Sequence, residues 1–155
     1  KKNCVRLITE GSLSALHVMC TVNALCLDSL PALIDIMVEW KRTYGPDFPN
    51  FTLNILRFPS FQSAVVLPKR VKDDVALQLS LKLKLFKDDL HEMEANQISR
   101  LIEYLKTVDT PHTGADTLAK LQQDFKNFYK QYDTRRGKSF EKTFSNEIVT
   151  WYEQL

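Results

Sequence analysis

Glycine is scarce in this chain. Four are present, at positions 11, 45, 114 and 137, too far apart to build the glycine-rich loops whose backbone amides cradle phosphates. P-loop and dinucleotide-binding signatures are thereby excluded. None of the three histidines falls in an H-E-x-x-H zinc motif, and no G-x-S-x-G nucleophile elbow occurs. His91, Glu92 and Glu94 read as an acid-rich helix start, where carboxylates favour the dipole, with a metal site as the alternative. Cysteine appears three times, as Cys4, Cys20 and Cys26. An odd count argues against a disulfide scaffold and for a reducing compartment, the cytoplasm. Their C-x15-C-x5-C spacing fits no zinc or redox signature, so they read as small hydrophobes, a metal or cluster role being the alternative. No apolar run reaches the length of a membrane span. Net charge is only +2, which gives no electrostatic case for nucleic acid or an anionic membrane. An initiator methionine and a signal-peptide core are also missing, and Lys1-Lys2-Asn3-Cys4 looks like a cut inside a longer chain.

What is present is an ordinary globular composition. The apolar fraction of 44% and charged fraction of 26% exclude a disordered chain. The organising stretch is His17–Pro59. Residues 17–25 form a nearly continuous apolar run, 31–44 carry a helical pattern stopped by Gly45-Pro46, and 51–57 hold a second apolar run. Strand, crossover helix and strand make a parallel βαβ unit buried on both faces. Leu30, Leu33, Ile34, Met37 and Val38 give the helix one core-facing stripe, while Glu39, Lys41 and Arg42 solvate the rest. Asp28 or Ser29 is placed to cap it, and Pro31 suits its first turn.

Ahead of this unit, residues 1–9 read as a helix ending at Glu10-Gly11, with Cys4, Val5 and Ile8 on one face. After it, Phe58 and Phe61 predict a loop packed down on the protein, and Pro68 opens a helix. Residues 71–86 are ambiguous: Leu77, Leu79, Leu81, Leu83 and Leu85 alternate as a strand would, yet the composition favours helix. Asp88 or Asp89 would cap the next helix, with Leu90, Met93, Gln97, Ile98, Leu101, Ile102 and Leu105 on its stripe. Asp109-Thr110-Pro111 ends it, and Thr113-Gly114 begins another. Leu118, Leu121, Phe125, Phe128, Tyr129 and Tyr132 would be that helix's core face, with base stacking as the alternative use of the rings. Arg135-Arg136-Gly137 stops it, the locally basic run over 132–138 being a helix end with dipole-favoured cations and a glycine cap or, alternatively, a polyanion or partner contact, and Ile148, Trp151, Tyr152 and Leu155 mark a last short helix. The fold class is therefore α/β: a partial (βα) barrel segment over 1–87, with parallel strands near 17–25 and 51–57, followed by a mainly helical extension over 88–155.

In parallel sheets chemistry gathers at the carboxyl ends of the strands, and two polar residues stand there. Asn23 serves either a loop hydrogen bond or a ligand. Arg57, placed between an apolar strand and Phe58-Pro59, needs an anion or several carbonyls: a salt bridge, or a carboxylate- or phosphate-bearing ligand. Asn54, mid-strand, would be satisfied within the packing layer.

The stretches Thr21–Leu25, Asn54–Pro59 and Val66-Leu67-Pro68 resemble the late barrel strands of radical S-adenosylmethionine enzymes, in the group with a short C-terminal "twitch" extension. The segment from Asp124-Phe125 through Tyr132-Asp133, Arg135-Arg136-Gly137-Lys138 and Phe140 to Thr143-Phe144 resembles what those proteins carry after the barrel. The resemblance implies a (βα)6 partial barrel and, in the full-length protein, S-adenosylmethionine and a [4Fe–4S] cluster as cofactors. It makes residues 71–86 a helix and places Asn23 and Arg57 at the barrel mouth. The C-x3-C-x2-C cluster motif is absent, as is the glycine-rich motif that meets the methionine amino group. Both are expected upstream of Lys1, on a missing N-terminal half of the barrel, so this chain alone would hold neither cofactor and perform no chemistry. The substrate, a peptide or a small molecule, is left open. The alternative reading is a noncatalytic protein- or nucleic-acid-interaction module on a small α/β core.

Overall fold

A computed structural model describes residues 2–108 and 117–155. In chain order the elements are α1 (Lys2–Glu10), β1 (His17–Val22), α2 (Leu30–Tyr44), β2 (Asn50–Ile55), two 3-10 turns (Ser60–Gln62 and Ala64–Val66), α3 (Lys69–Leu85), α4 (Glu92–Thr107), α5 (Leu118–Arg136) and α6 (Asn146–Gln154). The fold is mixed α/β and mostly helical. Among the described residues its sheet has only two strands, β1 and β2, which run parallel with His17 opposite Asn50 and Val22 opposite Ile55. The expected ends of the helices near Asp109-Thr110-Pro111 and Thr113-Gly114 lie outside the described residues. No described helix is long and apolar enough to cross a membrane.

One face of the sheet makes the core. Val22, Phe51 and Leu53 are buried there, with Val18, Cys20 and Ile55 packed beside them. Leu30, Ile34, Met37 and Val38 of α2 join them, as their helical spacing predicted, and so do Ile98, Leu101 and Leu105 of α4. The cluster continues through Phe125 of α5 to Ile148 and Trp151 of α6, so a single core runs across both expected parts of the chain. α1 forms where expected, but no residue of it is buried.

α3 settles the alternating leucines. It is a helix, and the alternation separates into two lines of four-residue spacing. Val71, Val75 and Leu79 are buried, whereas Leu77, Leu81 and Leu85 are exposed.

Several local expectations need correction. Lys41 is not a solvated cation: it is 4% exposed, and its ammonium meets Glu94 at 3.1 Å and the carbonyl of Pro46 at 2.7 Å. Ser29 takes the N-cap position of α2, as expected, but makes no side-chain cap; its hydroxyl donates to the Cys26 carbonyl instead. α4 starts later than Asp88 or Asp89 would place it, at Glu92, with the N-cap position taken by His91, whose amide donates to the Glu94 carboxylate. Asp89 instead accepts both arms of Arg42 at 2.7 and 2.8 Å, and that guanidinium holds its carboxyl below the usual carboxylate range. Met93 leaves the α4 stripe for solvent, and Phe58, far from packing down, is 82% exposed. The cysteines are half-buried rather than buried.

The two edges of the sheet differ. The Asn50 amide donates to Leu16 and the Leu56 amide to Val22. With the observed register, this turns the backbone groups of Phe51 and Leu53 away from β1. α4 receives them: the Phe51 amide donates to Glu94, the Leu53 amide to Gln97, and Arg100 donates to the Leu53 carbonyl. On β1 the same register turns the amides of His17, Met19 and Thr21 outward, where no described element pairs with them. The second face of the sheet is likewise open, with Met19 74% exposed and Asn54 also exposed. Asn54 therefore does not sit in a packing layer.

Candidate functional site

β1 stops at Val22, earlier than its apolar run suggests, because Asn23 takes over the backbone. Its Oδ1 accepts from the amides of Leu25 at 2.9 Å and Cys26 at 3.1 Å, an Asx turn that bends the chain out of the sheet. The Cys26 thiol closes the turn, accepting from the Asn23 amide at 3.2 Å and donating to the Thr21 carbonyl at 3.3 Å. Burial pushes this thiol above its ordinary range, and Cys20, which shares the neighbourhood, is raised in the same way. Neither is primed as a nucleophile. Asn23 thus stands where the sequence put it, at the carboxyl end of β1, with its carbonyl oxygen committed to the loop.

Arg57 follows the end of β2. It is exposed, and its guanidinium carbon lies 5.8 Å from the centre of the Tyr104 ring. A cation over a ring face is held in orientation without being neutralised. No carboxylate among the described residues forms an ion pair with it, so the salt-bridge alternative is not realised there. Tyr104 comes from α4, which also seals the edge of β2; its phenol is raised by burial, with Ser63 and Arg57 pulling the other way. Arg57 is therefore a positioned cation at the carboxyl end of the sheet, suited to receive a carboxylate or phosphate.

No protein-family model matches the chain, and neither a curated protein nor a solved structure matches it. The residues and their geometry carry the functional reading.

The described residues contain no group of three or more His, Cys, Asp or Glu side chains placed to hold a metal. Cys4 is on α1, and Cys26 is engaged in its own turn.

A second feature lies along α5, whose aromatic stripe the sequence offered as core, with base stacking as the alternative. The C-terminal half of α5 and the turn over 139–144 enclose a cleft of about 550 Å³, lined by Leu25, Phe128, Tyr129, Tyr132, Phe140 and Phe144 among others. Phe125 is buried, as expected of its stripe, but Phe128 and Tyr132 are 41% and 45% exposed. The expectation that all six residues of the stripe form core holds for Leu121 and Phe125, is met in part by Tyr129, which packs against the core, and fails for Leu118, exposed at the start of the helix, and for the last two rings, Phe128 and Tyr132. These two rings share the core-facing side of the helix, yet α5 runs on past the packing that covers Leu121 and Phe125. Phe61 is the element of the strand-end loop that reaches back to them, with its ring 5.4 Å from Phe128.

Proposed function

We propose that this chain is the closing arc of a partial (βα) barrel from a radical S-adenosylmethionine enzyme, with its twitch-type extension folded against the last strand. The observation that carries the reading is the unfinished sheet. Parallel sheets are found with both faces covered, whereas here no described element covers one face or the β1 edge, while α4 seals the β2 edge with Glu94, Gln97 and Arg100. A sheet closed at one side and open at the other is what the end of a barrel requires. The cluster and S-adenosylmethionine would supply a 5′-deoxyadenosyl radical when bound, on residues outside this chain. In this proposal Arg57 binds the carboxylate of S-adenosylmethionine or of the substrate, and Asn23 positions the neighbouring loop.

The test has two parts. The reading frame upstream of Lys1 should encode C-x3-C-x2-C within about 250 residues, the size of an ordinary barrel; its absence overturns the proposal. In the full-length protein, reduced without oxygen, Arg57→Ala should lower the release of 5′-deoxyadenosine about 10- to 100-fold, as loss of a hydrogen bond to a charged group does. Melting should not change, because only the ring of Tyr104 loses a neighbour. A parallel fall in melting temperature would mark Arg57 as structural.

A further inference from the structure

The aromatic cleft on α5 shares a wall with a second hollow. Phe128 and Tyr132 line both, and on the far side of this wall stand Gln131, Arg135 and Arg136, around a space of about 210 Å³. We propose that this pair of hollows is a binding site for an anionic aromatic small molecule, with its ring on Phe128 and Tyr132 and its phosphate or carboxylate on Arg135 and Arg136. Every group involved belongs to this chain, so the proposal stands apart from the barrel reading.

The rings come first. Phe128 and Tyr132 lie on the side of α5 that buries Leu121 and Phe125, yet both present large open surface. Tyr129 between them packs its ring centre 4.6 Å from Phe125, tilted by 56°, and 5.0 Å from Phe128, edge to face, so the wall is held from behind by the core. Its hydroxyl has no hydrogen-bond partner among the described residues. The cleft falls within the few hundred cubic ångströms typical of small-molecule sites, apolar with a few polar groups at its rim. Asp133 is one of these, and one of its oxygens is already taken by the Phe140 amide at 2.7 Å.

The cations come second. Arg135 and Arg136 are exposed, and neither forms an ion pair among the described residues. With Lys138 they set three cations against the one carboxylate of Asp133 in the lining of the two hollows. The helix C-terminus opposes them with a partial charge of about −0.5, smaller than two full guanidinium charges. Arg136 follows Tyr132 by four residues, about 6 Å along the axis, so ring and cation are close enough for one small ligand. A single wall of rings with one cation pair, on a chain of net charge +2, favours a small molecule over a polynucleotide, which needs a longer track of both.

Calorimetric titration of the chain tests this with four probes: adenosine monophosphate, phenylacetate, adenosine and inorganic phosphate. At least one of the first two should bind about tenfold more tightly than either half alone, the gain expected of one stacked ring. Binding of the nucleotide alone identifies a phosphate-bearing ligand, and binding of phenylacetate alone a carboxylate. The Arg135→Gln/Arg136→Gln double variant and Tyr132→Ala should each weaken that probe about tenfold with unchanged melting. Inorganic phosphate binding as tightly as the full probes, no binding by either full probe, or binding indifferent to both variants overturns the proposal.

Discussion

Glu94 serves three partners with two oxygens. The Phe51 amide donates to Oε1 at 3.0 Å, and the His91 amide and the Lys41 ammonium approach Oε2 at 2.9 and 3.1 Å. Both charged side chains are essentially sealed from solvent, at 2% and 0% exposure. An ion pair of this kind is weak evidence of net stabilisation, but removing one partner leaves the other charge buried and alone. Glu94→Ala should therefore cost about 3–5 kcal/mol in urea unfolding. Glu94→Gln, which keeps an acceptor for Phe51, should cost less. A loss under about 1 kcal/mol for the alanine variant would show that the pair contributes no more than a surface one. This pairing was not legible in the sequence. Lys41 stands in the last turn of α2 and Glu94 in the first turn of α4, each where the helix dipole alone gives it a reason to be. Only the return of α4 to the edge of β2 brings them together. Asn23 and Arg57 were legible because their positions follow from where apolar runs end, and Asn23's loop bond was one of the readings its residue type allows.

Helix α3 shows what periodicity can and cannot tell. Leucines at every second position fit a strand; in a helix the same residues fall into two lines, one starting from Val75 and one from Leu77. Composition, with residues of high helix propensity and little β-branching, pointed to the helix. Which line faced inward depended on α4, whose packing against α3 and β2 makes it the cover of this region. The consequence is a measurable asymmetry between neighbouring leucines. Leu79 is wholly buried, and Leu79→Ala should cost about 2–5 kcal/mol. Leu81 is 57% exposed, and Leu81→Ala should stay within about 0.5 kcal/mol of the parent. Equal losses in urea unfolding would mean that the exposed line is covered in solution. α5 teaches the complementary point. Its face is angularly continuous from Leu118 to Tyr132, but only Leu121 and Phe125 are buried because the core covers only that stretch, a fact about the neighbours of the helix that its own sequence does not contain.

For the molecule as a whole, the sheet decides what kind of object this is. Two parallel strands have too little hydrogen bonding and too little covered area to stand as an independent sheet; here they are held by a core on one face and by α4 along one edge. The remaining edge should behave as unpaired backbone. In β1 the amides of Val18, Cys20 and Val22 point toward β2, whereas those of His17, Met19 and Thr21 point outward. Hydrogen exchange followed by NMR should therefore alternate along the strand, with Cys20 and Val22 protected and Met19 and Thr21 exchanging much faster, because outward amides need no opening of the sheet to meet water. If the chain is the closing arc of a barrel, extending it upstream to include a preceding strand should protect Met19 and Thr21 and abolish the alternation, since the new strand would pair with those amides. Alternation that persists unchanged in the longer protein would leave β1 a true edge and remove the main physical support for the barrel. Slow exchange of the outward amides in this chain alone would show that a second copy or another segment already covers the edge.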